Sequence, residues 1–294
     1  MTHPTASKPD FLCGLIGSGI QASRTPSLHE REGDEQGLRY LYKKIDLDRL
    51  GLGPDALPDL LTAAQRMGFA GLNITYPCKQ VIIPLLDDLS DDARALNAVN
   101  TVVLRDGKRV GHNTDQSGFA GGFRRGLPDV KRDRVVQLGA GGAGSAVAHA
   151  LMTLGVGQLR ITDVDSARAQ AVADALTQHF GQGRAVAVTD LAAAMADADG
   201  LVNTTPVGMA KLPGMPLPAE LLRPELWVAE IVYFPLETEL LRNARRLGCR
   251  TLDGGGMAVF QAVDAFRLFT GIQPDAERML RHFAEMGGPV AQAA

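Results

Sequence analysis

The chain predicts an α/β protein of two lobes, an N-terminal α/β lobe followed by a doubly wound, mostly parallel sheet. Three observations carry that reading. Gly139-Ala140-Gly141-Gly142-Ala143-Gly144 follows a short apolar stretch, Arg134–Leu138, and precedes a helical pattern, Ala146–Met152, so the order is strand, tight turn, helix. From Arg134 onward strand-like and helix-like segments alternate, the pattern of a parallel sheet with helical crossovers. More than a hundred residues come before the glycine run, so a separate lobe is built first.

The elements follow in order. Phe11–Gly17 reads as a buried strand, and Thr25 and Pro26 open a helix running towards Gly37, with Thr25 or Ser23 near its N-cap and Pro in the first turn. Arg39–Ile45 alternates as a second strand, a helix covers about Ala56 to Met67, and Gly71–Thr75 is a third strand. Asn100–Asn113 has hairpin character with Asp106-Gly107 as its turn. After the glycine run come strands at Gln158–Thr162, Ala185–Val188, Gly200–Thr204, Trp227–Val232 and Arg250–Leu252. The helical run Ala258–Phe269 is expected to pack back on the first lobe. The expected domains are 1–115, with 256–294 returning to it, and 116–255, with a catalytic cleft between the lobes.

Composition removes several classes of function. A formal net charge of −3 gives no case for a nucleic-acid or anionic-membrane partner. Cys13, Cys78 and Cys249 are odd in number and widely spaced, which suits a reducing cytoplasm and neither a disulfide framework nor a zinc site. Met1–Asp10 lacks the apolar core of a signal peptide, and Phe11–Ile20 is too short and glycine-rich to span a bilayer. His3, His149, His179 and His282 have no partners at metal-ligand spacing, His29 reads as a packed or capping residue, and His112 could face solvent. The run Asp87–Asp92 reads as a solvated loop and helix start. The expectation is a soluble cytoplasmic protein without a bound metal.

The glycine run has a chemical meaning in its context. Glycines between a strand and a helix let the backbone turn sharply, approach a pyrophosphate and offer it helix N-terminal N–H groups. Asp163 stands at the end of the next strand, about two dozen residues beyond Gly139, where an acidic residue meets the adenosine ribose of NAD. A carboxylate there repels the 2′-phosphate of NADP, and Asp165 adds negative charge. Arg168 could swing towards a phosphate or solvate the next helix, and Asp is also a favoured N-cap. NAD is therefore expected rather than NADP, on a Rossmann-type domain.

Two further segments suggest catalysis. Asn73-Ile74-Thr75-Tyr76-Pro77-Cys78-Lys79 puts a lysine just past a buried strand, behind a proline, and Gly111-His112-Asn113-Thr114-Asp115 puts a carboxylate at the end of another. A lysine on a rigid turn is a candidate general base, although each residue alone reads as easily as a surface Lys or a capping Asp. Read together, the segments form an ordered set. Ser23-Arg24-Thr25-Pro26-Ser27-Leu28-His29, the Asn73–Lys79 stretch, Ala98-Val99-Asn100-Thr101 and Asn113-Thr114-Asp115 come first. The glycine loop, Asn203–Met209, Tyr233–Thr238 and Asp253-Gly254-Gly255-Gly256-Met257 through Gln261-Ala262 complete it. In these motifs the chain resembles the shikimate/quinate dehydrogenases, from about residue 11 to residue 275.

The resemblance implies roles. Ser23 and Thr25 would hold a substrate carboxylate at the start of a helix, whose dipole favours an anion. Thr75, Asn100 and Gln261 would bond the ring hydroxyls, with Tyr233 adding a contact. Lys79 would take the proton of the oxidised hydroxyl, with Asp115 orienting both. The cofactor would lie on Gly139, Ala140, Gly141, Gly142, Ala143, Gly144, Asp163 and Arg168, and be met by Thr205, Ile231, Gly254 and Met257, the last of which could equally be a core residue. Where NADP-using members end the second cofactor-domain strand Asn-Arg-Thr, this chain has Asp163-Val164-Asp165, as in the NAD-preferring quinate/shikimate branch. Asn97 and Glu230 also depart from the family pattern and could reshape the ring pocket. The implied partner is a hydroxylated cyclohexane or cyclohexene carboxylate, and the implied assembly a monomer or homodimer. An aminoshikimate or aminoquinate dehydrogenase is the nearest alternative. A ligand-sensing regulator that has lost turnover is another, which the presence of Lys79 and Asp115 disfavours.

Overall fold

The structure, a computed structural model, describes residues 8–286; the start of the stretch read as free of a signal peptide, with His3, lies outside them. Two compact units divide the chain. One holds the chain through Thr114 and again from Ala262, and the other is Asp115–Gln261.

The first unit contains β1 (Asp10–Gly17), α1 (Thr25–Glu35), β2 (Arg39–Asp46), α2 (Leu47–Leu50), α3 (Leu57–Arg66), β3 (Phe69–Ile74), α4 (Cys78–Val81), β4 (Asp88–Leu89), α5 (Asp91–Leu96), β5 (Thr101–Arg105) and β6 (Lys108–His112). Its sheet runs β2-β1-β3-β5-β6-β4, with β1 parallel to β2 and β3, and β5 antiparallel to both β3 and β6. The β5–β6 turn is made by Asp106 at φ 53° and Gly107 at φ 75°, the left-handed pair that a two-residue hairpin requires. Leu57, Leu61 and Ala64 line one stripe of α3 and are buried with Ile16, Leu72 and Ile74 of the sheet. The opposite face carries Cys13, Leu15, Tyr40 and Tyr42, packed with Phe266 and Phe269.

The N-cap residue of α1 is Arg24, between Ser23 and Thr25, and no side chain caps the helix. Pro26 in the first turn has no N–H to satisfy, and Ser23 Oγ accepts from the Thr25 N–H at 3.4 Å. The acidic run Asp87–Asp92 forms the short β4 and the start of α5, where Ser90 caps by accepting from Ala93 N. Asn97 then ends α5 at φ 46°, a left-handed position that asparagine tolerates.

The second unit contains α6 (Thr114–Gly126, whose first residue belongs to the first unit), β7 (Arg134–Leu138), α7 (Gly142–Thr153), β8 (Gln158–Thr162), α8 (Ser166–Phe180), β9 (Ala185–Ala187), α9 (Leu191–Met195), β10 (Gly200–Asn203), β11 (Trp227–Glu230), α10 (Glu239–Leu247), β12 (Arg250–Leu252) and the first part of α11 (Gly255–Thr270). Its six strands are all parallel in the order β12-β11-β10-β7-β8-β9, the doubly wound arrangement in which ligands bind beyond the carboxyl ends of the strands. β10 and β11 stop one and two residues short of the sequence expectation. At those ends Asn203 Oδ1 accepts from Thr205 N and Glu230 Oε1 from Val232 N, both at 3.0 Å, and such i to i+2 bonds bend the backbone out of the ladder.

The return to the first unit also begins later than the sequence suggested, inside α11 at Ala262. The earlier turns of α11 lie against α6 too closely for side chains on that helix. A Cβ at Gly118 would lie 2.8 Å from Gln261, and one at Gly121 3.0 Å from the Phe260 ring. Beyond Ala262, Phe269 covers β3 at Gly71, where a Cβ would stand 2.3 Å from the ring. α12 (Ala276–Glu285) then meets α1 through Glu32, fully buried, which accepts from Arg278 Nη2 at 2.7 Å and Nε at 2.9 Å.

Candidate active site

In the first unit the predicted substrate residues cluster at the carboxyl ends of β1 and β3. Gly17 ends β1, and a Cβ there would lie 2.3 Å from Thr75 Cγ2, so the glycine admits the threonine. Ser18 N donates to Tyr76 O at 2.9 Å, tying the loop that leads to Ser23 and Thr25 to the loop that carries Lys79. Thr75 N is held by Ile16 O at 2.9 Å and Lys79 O by Val99 N at 2.8 Å. Asn100 enters through the neighbouring antiparallel strand, its carbonyl accepting from Ile74 N at 2.7 Å. Backbone bonds thus bring Thr75, Lys79 and Asn100 to one end of one sheet, and Ser23 and Thr25 follow on the loop and helix after β1. Lys79 and Thr75 are half-buried and Asn100 is buried.

Asn100 is held by more than its backbone. Its Oδ1 accepts from Thr114 N at 2.8 Å and from Thr101 Oγ1 at 3.0 Å, and its Nδ2 donates to Thr114 Oγ1 at 3.0 Å. Asp115, the next residue, is buried and opens the second unit. In that unit Gln261 Nε2 donates to Ala258 O at 3.1 Å, and its Cβ lies over Gly118 of α6, three residues beyond Asp115. Tyr233 is exposed on the loop after β11.

The glycine loop has two kinds of glycine. Gly139 has φ 95°, where only glycine is relaxed, and a Cβ at Gly144 would lie 2.6 Å from Gly139 O. Those two make the turn. At Gly141 and Gly142 a Cβ would meet nothing within 4 Å, which leaves bare backbone at the N-terminus of the 12-residue α7. That cradle and the positive end of the helix fit a pyrophosphate. Gln137 Nε2 locks the turn by donating to Gly139 O and Gly144 O, both at 2.9 Å, and Thr204 Oγ1 lies 2.8 Å from Gly139 O.

Asp163 belongs to the same loop. Its Oδ2 accepts from Ala140 N at 2.6 Å and its Oδ1 from Asp165 N at 2.9 Å. Asp165 caps α8, accepting from Ala167 N and Arg168 N at 3.1 and 3.3 Å. The exposed Arg168 guanidinium lies 3.5 Å from Asp165 and 3.9 Å from Asp163, so one cation faces two carboxylates. Thr205, Ile231 and Gly254 also come together, at the carboxyl ends of β10, β11 and β12. Ile231 N donates to Asn203 O at 3.2 Å, and a Cβ at Gly254 would lie 2.5 Å from Ile231 O. Met257 packs partly buried against the core of this unit.

One residue beside these sites, Gln137, went unnoticed in the sequence, although a polar residue in the middle of an apolar strand is a visible signal. Glu230 is 2% exposed, and its carboxylate accepts from Asn203 Nδ2, Val232 N and Thr238 Oγ1. Burial pushes its pKa up to about 7. It secures the loops after β10 and β11. His29 is fully buried, 3.0 Å from Tyr40 Oη, and burial pushes its pKa down to about 3. His112 is half-buried instead of open to solvent, and desolvation with the nearby Arg267 charge lowers its pKa. Among the described residues no group of three or more His, Cys, Asp or Glu could hold a metal ion, and no helix is long and apolar enough to cross a membrane.

Known proteins match this chain across both of its units. A family model described as the shikimate dehydrogenase substrate binding domain matches residues 15–102, and one described as the shikimate 5′-dehydrogenase C-terminal domain matches residues 254–282. The ThiF family model matches residues 116–195. A shikimate dehydrogenase (NADP(+)) of Streptomyces avermitilis is 63% identical over 97% of this chain and 99% of that protein. A quinate/shikimate dehydrogenase (NAD(+)) of Corynebacterium efficiens is 51% identical over 94% of this chain and 98% of that protein. The solved quinate dehydrogenase from Corynebacterium glutamicum in complex with NAD superposes with a TM-score of 0.89 at 50% identity, covering 94% of this chain and 99% of that one. With matches of that identity along nearly its whole length, the chain belongs to the shikimate/quinate dehydrogenase family.

Proposed function

We propose that this protein is a cytoplasmic oxidoreductase that moves a hydride between NAD and a ring hydroxyl of shikimate or quinate, interconverting them with 3-dehydroshikimate or 3-dehydroquinate. The observation that carries the reaction class is the set Thr75, Lys79 and Asn100, each held by backbone bonds at one sheet end, in a chain whose second unit carries the glycine cradle. The Ser23 and Thr25 hydroxyls donate to the substrate carboxylate at the N-terminus of α1. Asn100, Thr75 and Gln261 hydrogen-bond the ring hydroxyls, and Tyr233 adds a contact from its loop. Lys79 Nζ takes the proton of the hydroxyl being oxidised, and Asp115 orients the lysine and the hydroxyl. The nicotinamide, when bound, supplies the hydride acceptor. Gly141 and Gly142 hold its pyrophosphate, and Asp163 holds the adenosine ribose.

NAD over NADP rests on Asp163. Its carboxylate lies on the glycine loop beside Asp165, and a 2′-phosphate would meet two negative charges against the single Arg168. Relatives carry both names, NADP(+) at 63% identity and NAD(+) at 51%, so cofactor choice is read from these side chains. Initial rates with shikimate and quinate, each against NAD⁺ and NADP⁺, test the proposal. Turnover is expected with NAD⁺, and Asp163→Ala should lower the NAD⁺ to NADP⁺ preference about tenfold or more. A wild type faster with NADP⁺ would move the 2′-phosphate contact to Arg168. A wild type that oxidises neither acid would overturn the reaction class.

A further inference from the structure

Tyr42 is a buried tyrosine that the reaction above does not use, and its hydroxyl begins a chain of hydrogen bonds that ends at Asn100. Tyr42 lies on β2, paired with Cys13 of β1, and Asn73 lies on β3, paired with Leu15 of β1. These four residues share one face of the sheet, so the tyrosine reaches across β1. Its Oη donates to Asn73 Oδ1 at 2.6 Å. Asn73 Nδ2 donates to Thr101 Oγ1 at 3.0 Å and to Asn100 O at 3.4 Å. Thr101 Oγ1 donates in turn to Asn100 Oδ1 at 3.0 Å. All four side chains are buried.

The direction of the chain is set at both ends. A backbone carbonyl, Asn100 O, can only accept, so Asn73 must turn its Nδ2 inward and its Oδ1 to the tyrosine. A backbone N–H, that of Thr114, can only donate, and it holds Asn100 Oδ1 at 2.8 Å. Asn100 therefore keeps its oxygen turned to Thr101 and Thr114 and presents its amide nitrogen as the donor. Buried networks with every member satisfied fix one geometry, since each alternative leaves a polar atom unpaired.

We infer that Tyr42 is a positioning residue for substrate recognition, holding Asn100 through Asn73 and Thr101 in the amide orientation that meets a ring hydroxyl. The inference rests on the reading of Asn100 as a ring-hydroxyl donor. Its consequence is selective, because the network touches the ring acid and no part of the cofactor cradle. Tyr42→Phe removes the first donor, and Thr101→Val breaks the chain in its middle.

The test is steady-state kinetics of the full chain with shikimate and quinate, alongside melting curves. Tyr42→Phe and Thr101→Val should each raise KM for the preferred ring acid about tenfold, the worth of one buried hydrogen bond. KM for the nicotinamide cofactor should stay within about twofold, and Thr101→Ser, which restores the hydroxyl, should return the ring-acid KM towards wild type. A structural role alone would reduce active protein and apparent kcat with both KM values unchanged, and that pattern overturns the inference. If Tyr42→Phe fails to fold, the Thr101→Val and Thr101→Ser pair decides on the same criterion. A wild type that turns over neither acid overturns the proposed function and this inference together; an active wild type with unmoved variants overturns this inference alone.

Discussion

Lys79 sits on a single helical turn, and its position is inherited from neighbours on either side. Its carbonyl accepts from Val99 N, and Cys78 N donates to Thr75 O, each at 2.8 Å. Neither bond involves the ammonium, so the backbone holds the turn whatever side chain stands there. Lys79→Ala should therefore leave the fold intact and lower kcat by about a hundred- to ten-thousandfold, the usual worth of a general base. Cofactor binding, followed by thermal shift with NAD⁺, should be unchanged. Retention of most of the turnover would remove Lys79 from proton transfer. The lysine was legible because the Asn73–Lys79 motif is local in sequence. The Tyr42 to Asn73 bond was not, since it joins residues separated by 31 positions and exists only because β1 lies between β2 and β3.

At the scale of elements, α1 begins at Thr25, two residues after Ser23, the pair read as the carboxylate grip, and it is anchored at Glu32. That carboxylate is fully buried and accepts from Arg278 of α12, from Asp275 N at 3.0 Å and from Gln36 Nε2 at 3.0 Å. Removing one partner of a buried ion pair strands the other charge, at a cost of about 3–5 kcal/mol. Arg278→Ala should lower unfolding stability by roughly that amount in denaturant melts. A loss under about 1 kcal/mol would mean that the N–H of Asp275 and the Gln36 amide suffice for the carboxylate. Nothing in the sequence singled out Glu32 of α1. Only the folding of a distant helix onto α1 turns it inward.

Across the whole chain, two buried groups, one in each unit, shift stability with pH in opposite directions. His29, in the first unit, is held neutral by burial, with its pKa lowered from 6.5 to about 3. The unfolded chain binds a proton there first, so stability is present above pH 6.5 and is lost as pH falls from 6.5 towards 3. Desolvation also lowers the pKa of His112 and His282, which add to that acid loss. Glu230, in the second unit, has its pKa raised from 4.5 to about 7, so its contribution is present below 4.5 and is lost as pH rises to 7. Each group changes stability by about 1.4 kcal/mol per pH unit inside its window. Melting curves from pH 4.5 to 7 should show that His29→Gln softens the acid loss and Glu230→Gln softens the loss on raising pH. A Glu230→Gln profile parallel to wild type would mean that its three donors keep the carboxylate charged throughout.

What the sequence determined by itself was whatever depends on neighbours along the chain. That includes the strand–turn–helix of the glycine loop, the alternation that makes the second sheet parallel, the Asp106-Gly107 hairpin and the ordered motifs that carry Lys79, Asp115 and Asp163. Hydrophobic period, turn chemistry and motif spacing are short-range properties, so they can be read without coordinates. The tertiary structure decided where polar side chains inside those segments turn. It made Glu230 a buried loop anchor, Glu32 the internal partner of Arg278, and Tyr42 the first donor in a chain reaching Asn100. It also moved the return of α11 to Ala262, because glycines on α6 let the earlier turns of α11 lie against that helix. Each of these depends on residues brought together by sheet order or helix packing, and a buried polar atom takes whichever partner the fold supplies.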